Sequence, residues 1–326
     1  MNQPAVIAQT ARPSPRVRKS RQLETGGMWH DMVWRPGRRQ RVRLLYRIEG
    51  PADAPVVLAA GGISADRRVD RWWADLYGEG RALDPNRQRI LSIDWLGQRW
   101  PDESVVTTAQ QAQALLAVLD HLGIQRLPLF VGASYGAMVG LALAAICPER
   151  VGRLLAISGA HCPHPMAVAR RMIQRDIIRL GVSAGEDRLG ITLARALALT
   201  TYRPASLFGE RFQHAEPAGI LHQLDGYFQA QGRRLVGRFD AERYLSLSES
   251  LDRHQVDPAR VRCPVTLIGV RSDELVPVEQ LQTLQQALPQ AELRVIQSAY
   301  GHDAFLKEVD FFSQLLAGLV AAEVSA

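Results

Sequence analysis

The chain has 326 residues, with 39 Lys and Arg against 33 Asp and Glu and 47% hydrophobic residues, a balance typical of globular proteins and a length sufficient for one large α/β domain with a subdomain. The formal charge of +6 invites a nucleic-acid reading, but Arg12, Arg16, Arg18, Lys19 and Arg21 lie in an acid-free stretch ahead of Glu24, and the remainder is left at +1. A nearly neutral body has no basic footprint for nucleic acid, and no uninterrupted apolar run is long enough to span a bilayer, so neither is expected as a partner.

Residues 1–27 are rich in Pro, Gln, Ala and Arg, lack an apolar period and lack the apolar core of a secretory signal, so they are expected to form a disordered basic tail. From Arg41 onward strands and helices alternate. Val42 to Tyr46, Val56 to Ala60 and Ile90 to Ile93 read as strands, and Thr107 to Leu122 has apolar residues at helical spacing. Leu127 to Val131 is another short apolar strand, followed by an Ala- and Leu-rich helical pattern from Tyr135. Leu154 to Ser158, Val265 to Val270 and Glu292 to Gln297 complete the set of strands. Short apolar strands interleaved with helices predict an α/β fold, a mostly parallel sheet covered by helices.

Between Ser158 and Val265 the alternation stops, and about a hundred residues show helical periodicity only. A segment of that length is not a loop. It reads as an inserted helical lid over residues 161–256, with the sheet core formed by 28–160 and 257–326.

The most informative local pattern is Gly132-Ala133-Ser134-Tyr135-Gly136 at the junction of the strand from Leu127 with the following helix. Glycines on either side of a serine permit a sharp strand-to-helix turn, and the free N–H groups of the helix start point at the serine. Ser134 is therefore the expected nucleophile, with a plain helix-entry turn as the competing reading. A serine hydroxyl needs a base, and the base an orienting acid. In the α/β-hydrolase fold the acid and the base follow the serine in that order, on loops after late strands. Asp273 follows the strand Val265 to Val270, with Glu274 as its rival, and His302 follows the last strand. Otherwise Asp273 is a turn or cap residue and His302 a helix cap. The oxyanion is expected to be met by the backbone N–H groups of Tyr135 and of Ile63, in Ala60-Gly61-Gly62-Ile63-Ser64. That Gly-Gly loop lacks the spacing of a phosphate cradle.

Cys147, Cys162 and Cys263 are odd in number and contain no Cys-x-x-Cys pair, which fits a reducing cytoplasm. His161-Cys162-Pro163-His164 has no carboxylate or second cysteine nearby and reads as a loop, so no metal and no bound cofactor is expected.

Several segments together resemble the homoserine O-acyltransferases of the α/β-hydrolase superfamily. They are Trp72-Trp73 with Gly78, Gly80 and Ala82-Leu83-Asp84, Leu199-Thr200-Thr201-Tyr202-Arg203, the run Gly237 to Tyr244, and Tyr300-Gly301-His302-Asp303-Ala304-Phe305-Leu306. The resemblance implies transfer of an acyl group from an acyl-CoA co-substrate to the hydroxyl of L-homoserine through an acyl-Ser134 intermediate, in methionine biosynthesis. It also implies that Arg203 grips the homoserine carboxylate, that Asp303 holds its ammonium, and that the protein is a homodimer through the lid. Succinyl-using relatives carry an arginine two residues after the triad aspartate. Here Leu275 stands there, which favours acetyl-CoA, while Asp66-Arg67-Arg68 offers an alternative carboxylate clamp for a succinyl donor. The run Asp94 to Pro101 departs from the family's glycine-rich stretch. Serine as acceptor, or water in an esterase or thioesterase, are the competing reactions.

Overall fold

The computed structural model describes residues 22–212 and 216–324. The expected basic tail falls outside these as far as residue 21. Its last residues do not: Gln22–Arg35 form strand β1, hairpinned to β2 (Arg38–Gly50) through a turn at Gly37, φ +71°. The boundary placed at residue 27 is thus corrected. Strand β1 is an edge strand with an almost wholly exposed outer face, and only Met28, His30, Met32 and Trp34 turn inward, so its apolar signal is weak. Its register is set by the partner: Met28 lies opposite Leu44, His30 opposite Val42 and Met32 opposite Gln40, which places Met32 with the buried Val42, Leu44, Tyr46 and Ile48. Main-chain pairing supplies what the side chains do not.

The remaining strands are β3 (Val56–Ala60), β4 (Arg89–Ile93), β5 (Leu127–Ala133), β6 (Val151–Ile157), β7 (Val265–Val270) and β8 (Ala291–Ile296), in the sheet order β1-β2-β4-β3-β5-β6-β7-β8. From β4 to β8 every neighbouring pair is parallel, while β2 joins β4 antiparallel. Strands β3, β5, β6 and β7 are buried almost throughout, and they read as continuous apolar runs because parallel strands are covered on both faces.

The helices are α1 (Val69–Trp72), α2 (Thr108–His121), α3 (Tyr135–Ile146), α4 (Pro165–Ser183), α5 (Asp187–Tyr202), α6 (Ala205–Phe212), α7 (Pro217–Val236), α8 (Ala241–Asp252), α9 (Val278–Ala287) and α10 (Val309–Val324). On one face of the sheet α2, α3 and α9 pack on residues such as Phe130 and Leu154. On the other face α10, the α1 segment and Phe305 cover Leu129, Val131 and Leu155. Side chains alternate across β5, so one strand serves both cores. Helix α2 starts with a capping box, the Thr107 hydroxyl accepting from Gln110 N–H and the Gln110 side chain accepting from Thr107 N–H. Helices α4 to α8 occupy the connection between β6 and β7, the stretch where strand periodicity was absent. No helix is long and apolar enough to cross a membrane among the described residues.

Candidate active site

Strand β5 ends in the elbow. Ser134 has φ 53° and ψ −115°, a left-handed backbone for a non-glycine residue, and its N–H donates to Ile157 O at 2.8 Å. Such a conformation costs on the order of 1–3 kcal/mol and persists only where the surroundings impose it. They do so by crowding: a Cβ on Gly132 would lie 2.5 Å from Gly136 O, and one on Gly136 2.2 Å from Ala60 O. Strand, helix and the β3 end meet there, and glycine is required at both positions.

The hydroxyl so presented meets a continuous hydrogen-bonded chain. Ser134 Oγ lies 2.8 Å from His302 Nε2, and His302 Nδ1 lies 2.7 Å from Asp273 Oδ2. The other carboxylate oxygen, Oδ1, accepts from the N–H groups of Leu275 (2.8 Å) and Val276 (3.1 Å). Asp273 and His302 are 4% and 6% exposed, so the negative charge is held by three donors rather than by water. A carboxylate at Nδ1 selects the tautomer with the proton there, leaving Nε2 to accept the Ser134 proton. Burial opposes the charged imidazolium, but the charge and hydrogen bond of Asp273, with the charge of Asp303, outweigh it. The net effect raises the His302 pKa above its ordinary value. Glu274, the rival acid, is instead paired with Arg170 at the surface.

The loop after β3 sits beside the serine: a Cβ on Gly62 would be 3.9 Å from Ser134 Cβ. Gly62 O accepts from Trp95 Nε1 (3.1 Å) and Ala65 N–H (2.9 Å). In a trans peptide the following N–H, that of Ile63, then points the opposite way. Tyr135 N–H is in the first turn of α3 and has no intrahelical acceptor. The Tyr135 ring, by contrast, turns away from the serine. It is fully buried against Trp95 (5.1 Å between centroids), and its hydroxyl lies 2.7 Å from Ser250 Oγ. Since Ser250 donates to Val106 O, Tyr135 donates to Ser250, tying the elbow to α8.

A cavity of about 290 Å³ opens over Ser134, with Gly62, Ile63, Leu275, His302 and Asp303 in its walls. Arg203, expected at the acceptor carboxylate, meets the cavity through its partner Asp303. It stands at the C-terminal end of α5 with an extended backbone and does not line this cavity. Its Nε donates to Asp303 Oδ2 at 3.0 Å, its Nη1 donates to the Tyr227 hydroxyl, and its guanidinium lies over the Tyr227 ring beside Leu207, Phe208 and Phe212. The cation that α5 presents to the cavity is Arg195, stacked 5.5 Å from the Tyr202 ring, which in turn lies 5.8 Å from the His302 ring. Seven residues separate Arg195 from Tyr202, two helical turns and hence one face, whereas Arg203 falls past the end of the helix and off that face. This spacing is legible in the sequence. Asp303 does line the cavity, with Oδ2 committed to Arg203 and Oδ1 free of partners among the described residues.

The two arginines of the alternative clamp are engaged elsewhere. Arg67 pairs with Asp94 and Arg68 with Asp70, and neither reaches the cavity. The residues missed from the sequence are Arg195, Tyr202 and, from α4, Arg171. Cys162 and His164 also line the wall, His164 capping α4 by accepting from Met166 N–H at 3.2 Å. Among the described residues no three His, Cys, Asp or Glu side chains are grouped to hold a metal ion.

A mostly parallel sheet with an elbow serine, followed in the chain by an aspartate and a histidine that reach it from later loops, defines an α/β-hydrolase-fold protein equipped for acyl transfer. A family model described as the α/β hydrolase fold matches residues 55–180. The chain is 43% identical over 290 residues to the homoserine O-succinyltransferase of Xanthomonas campestris pv. campestris, over 85% of this chain and 78% of that one. It is 30% identical over 334 residues to the homoserine O-acetyltransferase of Chlorobaculum tepidum, over 90% of each chain. The homoserine O-acetyltransferase of Bacillus anthracis superposes with a TM-score of 0.82 over 91% of this chain and 97% of that one, at 17% identity, which speaks for the fold alone. The chain belongs to the homoserine O-acyltransferase family.

Proposed function

We propose that this protein transfers an acyl group from an acyl-CoA to the hydroxyl of L-homoserine, the activating step toward methionine, by double displacement through acyl-Ser134. The observation that carries this reading is that one cavity opens on Ser134 and on His302, which Asp273 orients from behind, and also holds a pair of opposite charges, Arg195 and Asp303, suited to an amino-acid zwitterion. Ser134 Oγ attacks the thioester carbon and His302 Nε2 takes its proton. The oxyanion is met by the N–H groups of Tyr135 and Ile63. Collapse breaks the C–S bond, and His302 returns the proton to the departing thiolate. Homoserine then enters with its carboxylate on the Arg195 guanidinium and its ammonium on Asp303 Oδ1. His302 takes its hydroxyl proton, the ester forms, and the proton passes back to Ser134.

Helices α4 to α8 serve as the lid over this chemistry, excluding water from the acyl-enzyme. Exposed Ile173, Leu180, Leu189, Leu193 and Leu221 on that insertion support a homodimer through it. The three free cysteines support a cytoplasmic setting. The test is release of free thiol from acetyl-CoA and succinyl-CoA with and without L-homoserine, with L-serine as a second acceptor. Thiol release should depend on homoserine and yield its O-acyl ester. Release at the same rate without any acceptor would assign the protein to the hydrolases instead.

A further inference from the structure

Positive charge in the cavity exceeds what homoserine needs. Arg195 and Asp303 match the carboxylate and ammonium of the acceptor, yet a second guanidinium, that of Arg171 on α4, lies in the same wall. It is only 12% exposed, and Nε donates to Asp252 Oδ1 at 2.5 Å. Asp252 does not neutralise it, because its Oδ2 is taken by Arg175 Nη1 at 2.6 Å. Two buried guanidiniums thus share one carboxylate and leave one positive charge over.

Polar atoms in the same wall also lack partners. Arg171 Nη2, Ser158 Oγ and Gln280 Oε1 are buried without a hydrogen bond among the described residues, and all three side chains line this cavity. Orphaned buried polar atoms are uncommon. Ser158 is further marked by a left-handed backbone, φ 48°, at the end of β6 next to the elbow. Other walls are apolar there, with Leu275, Val276 and Met138. Arg171 lines the cavity together with Ser134 and His302, and its charge acts on the imidazole. That places it near the reacting atoms rather than by the phosphates at the far end of a coenzyme A, for which Arg238, half exposed on the same cavity, is better placed.

We infer that Arg171, assisted by the Ser158 hydroxyl, binds a carboxylate at the end of the donor's acyl chain, so that the donor is a dicarboxylic acyl-CoA of the succinyl type. The cation that succinyl-using relatives place two residues after the triad aspartate, where Leu275 stands, is supplied here from α4. The acyl chain runs from Ser134 past Leu275 and Met138, and its carboxylate accepts from Arg171 Nη2 and from the Ser158 O–H. In the acylation step the Ser134 Oγ–carbon bond forms and the thioester C–S bond breaks. The proton reaches the thiolate through His302, and the terminal carboxylate keeps its charge throughout.

This inference rests on the acyl-CoA reading and is tested by comparing succinyl-CoA with butyryl-CoA, a neutral acyl chain of the same length. Both are followed as thiol release and as the mass of the Ser134 adduct, and the readout is the ratio of their kcat/KM values on one preparation, which cancels any loss of folded enzyme. The wild type should favour succinyl-CoA. Arg171→Met should lower the ratio about 10- to 100-fold, the scale of a lost charge-assisted hydrogen bond in a buried site. Arg171→Lys should keep an intermediate preference, and Ser158→Ala, which removes no charge, should lower the ratio by a smaller factor. A wild-type ratio at or below one, or a ratio untouched by Arg171→Met, overturns the assignment alone. Failure of both thioesters to label Ser134 overturns the acyl-CoA reading and this inference with it.

Discussion

Replacing Asp273 by asparagine isolates the electronic role of the acid from its structural one. The two sides of this carboxylate are not equivalent: Oδ1 accepts two backbone N–H groups, from Leu275 and Val276, and Oδ2 faces His302 Nδ1. An asparagine must keep its carbonyl oxygen toward the two backbone donors, since its amide nitrogen would meet them donor to donor. The NH₂ group is then turned onto His302 Nδ1, which has to accept. The imidazole proton moves to Nε2, facing Ser134 Oγ, and the base is lost while every heavy atom stays in place. Loss of a positioned general base costs about 10²–10⁴ in rate, or roughly 3–5 kcal/mol of barrier at 1.36 kcal/mol per decade. Stability should change little, because both backbone hydrogen bonds survive. Stopped-flow thiol release under single-turnover conditions measures the acylation step, and a melting curve on the same sample checks the fold. Acylation by Asp273→Asn within tenfold of wild type would refute the tautomer argument.

Three further outcomes are expected. Arg195→Gln should raise KM for homoserine by about 10-fold or more, from the loss of a charge-assisted contact of about 1.5–3 kcal/mol, while leaving single-turnover acylation of Ser134 much less affected; steady-state and single-turnover kinetics separate the two. Asp303 raises the His302 pKa by its charge, so Asp303→Asn should lower that pKa and shift the acid limb of the single-turnover acylation profile to lower pH; a shift to higher pH would contradict the placement. His254 is buried between Thr108 Oγ1 (2.7 Å from Nδ1) and Ala160 O (3.0 Å from Nε2), and burial pushes its pKa down to about 4. Its contribution to stability is therefore whole above pH 6.5 and lost as the pH falls toward 4. Urea unfolding should show wild type losing about 2 kcal/mol between pH 7.5 and pH 5 from this one group, and His254→Asn should remove that part of the slope.

The strands at the centre of the sheet were readable because their burial on both faces leaves uninterrupted apolar runs. Val56–Ala60 and Val265–Val270 begin and end where expected, and the ends of the others shift by a few residues. Edge strand β1 was not readable. Half of it faces water and the rest is held by pairing with β2, a contact made through main-chain atoms that any sequence possesses. The elbow was legible for the opposite reason, since close approach of three backbones demands glycine at 132 and 136 and leaves a trace in composition.

For the site, the order of Ser134, Asp273 and His302, each placed just beyond a strand, was enough to name the three groups. Loops at the same end of parallel strands converge whatever lies between them. The charges that line the cavity follow no such rule. Arg203 was attractive by motif, but the end of α5 turns it onto Asp303 and Tyr227, and Arg195 two turns earlier takes the cavity face. Arg171 became visible only once α4 was packed against α8, with Asp252 divided between two guanidiniums. Local pattern therefore sufficed for strands, elbow and triad, whose backbone geometry constrains the residue types nearby. Which arginine lines the cavity was decided by helix packing across the insertion, because a long cationic side chain takes whichever carboxylate or ring the tertiary structure brings within its reach.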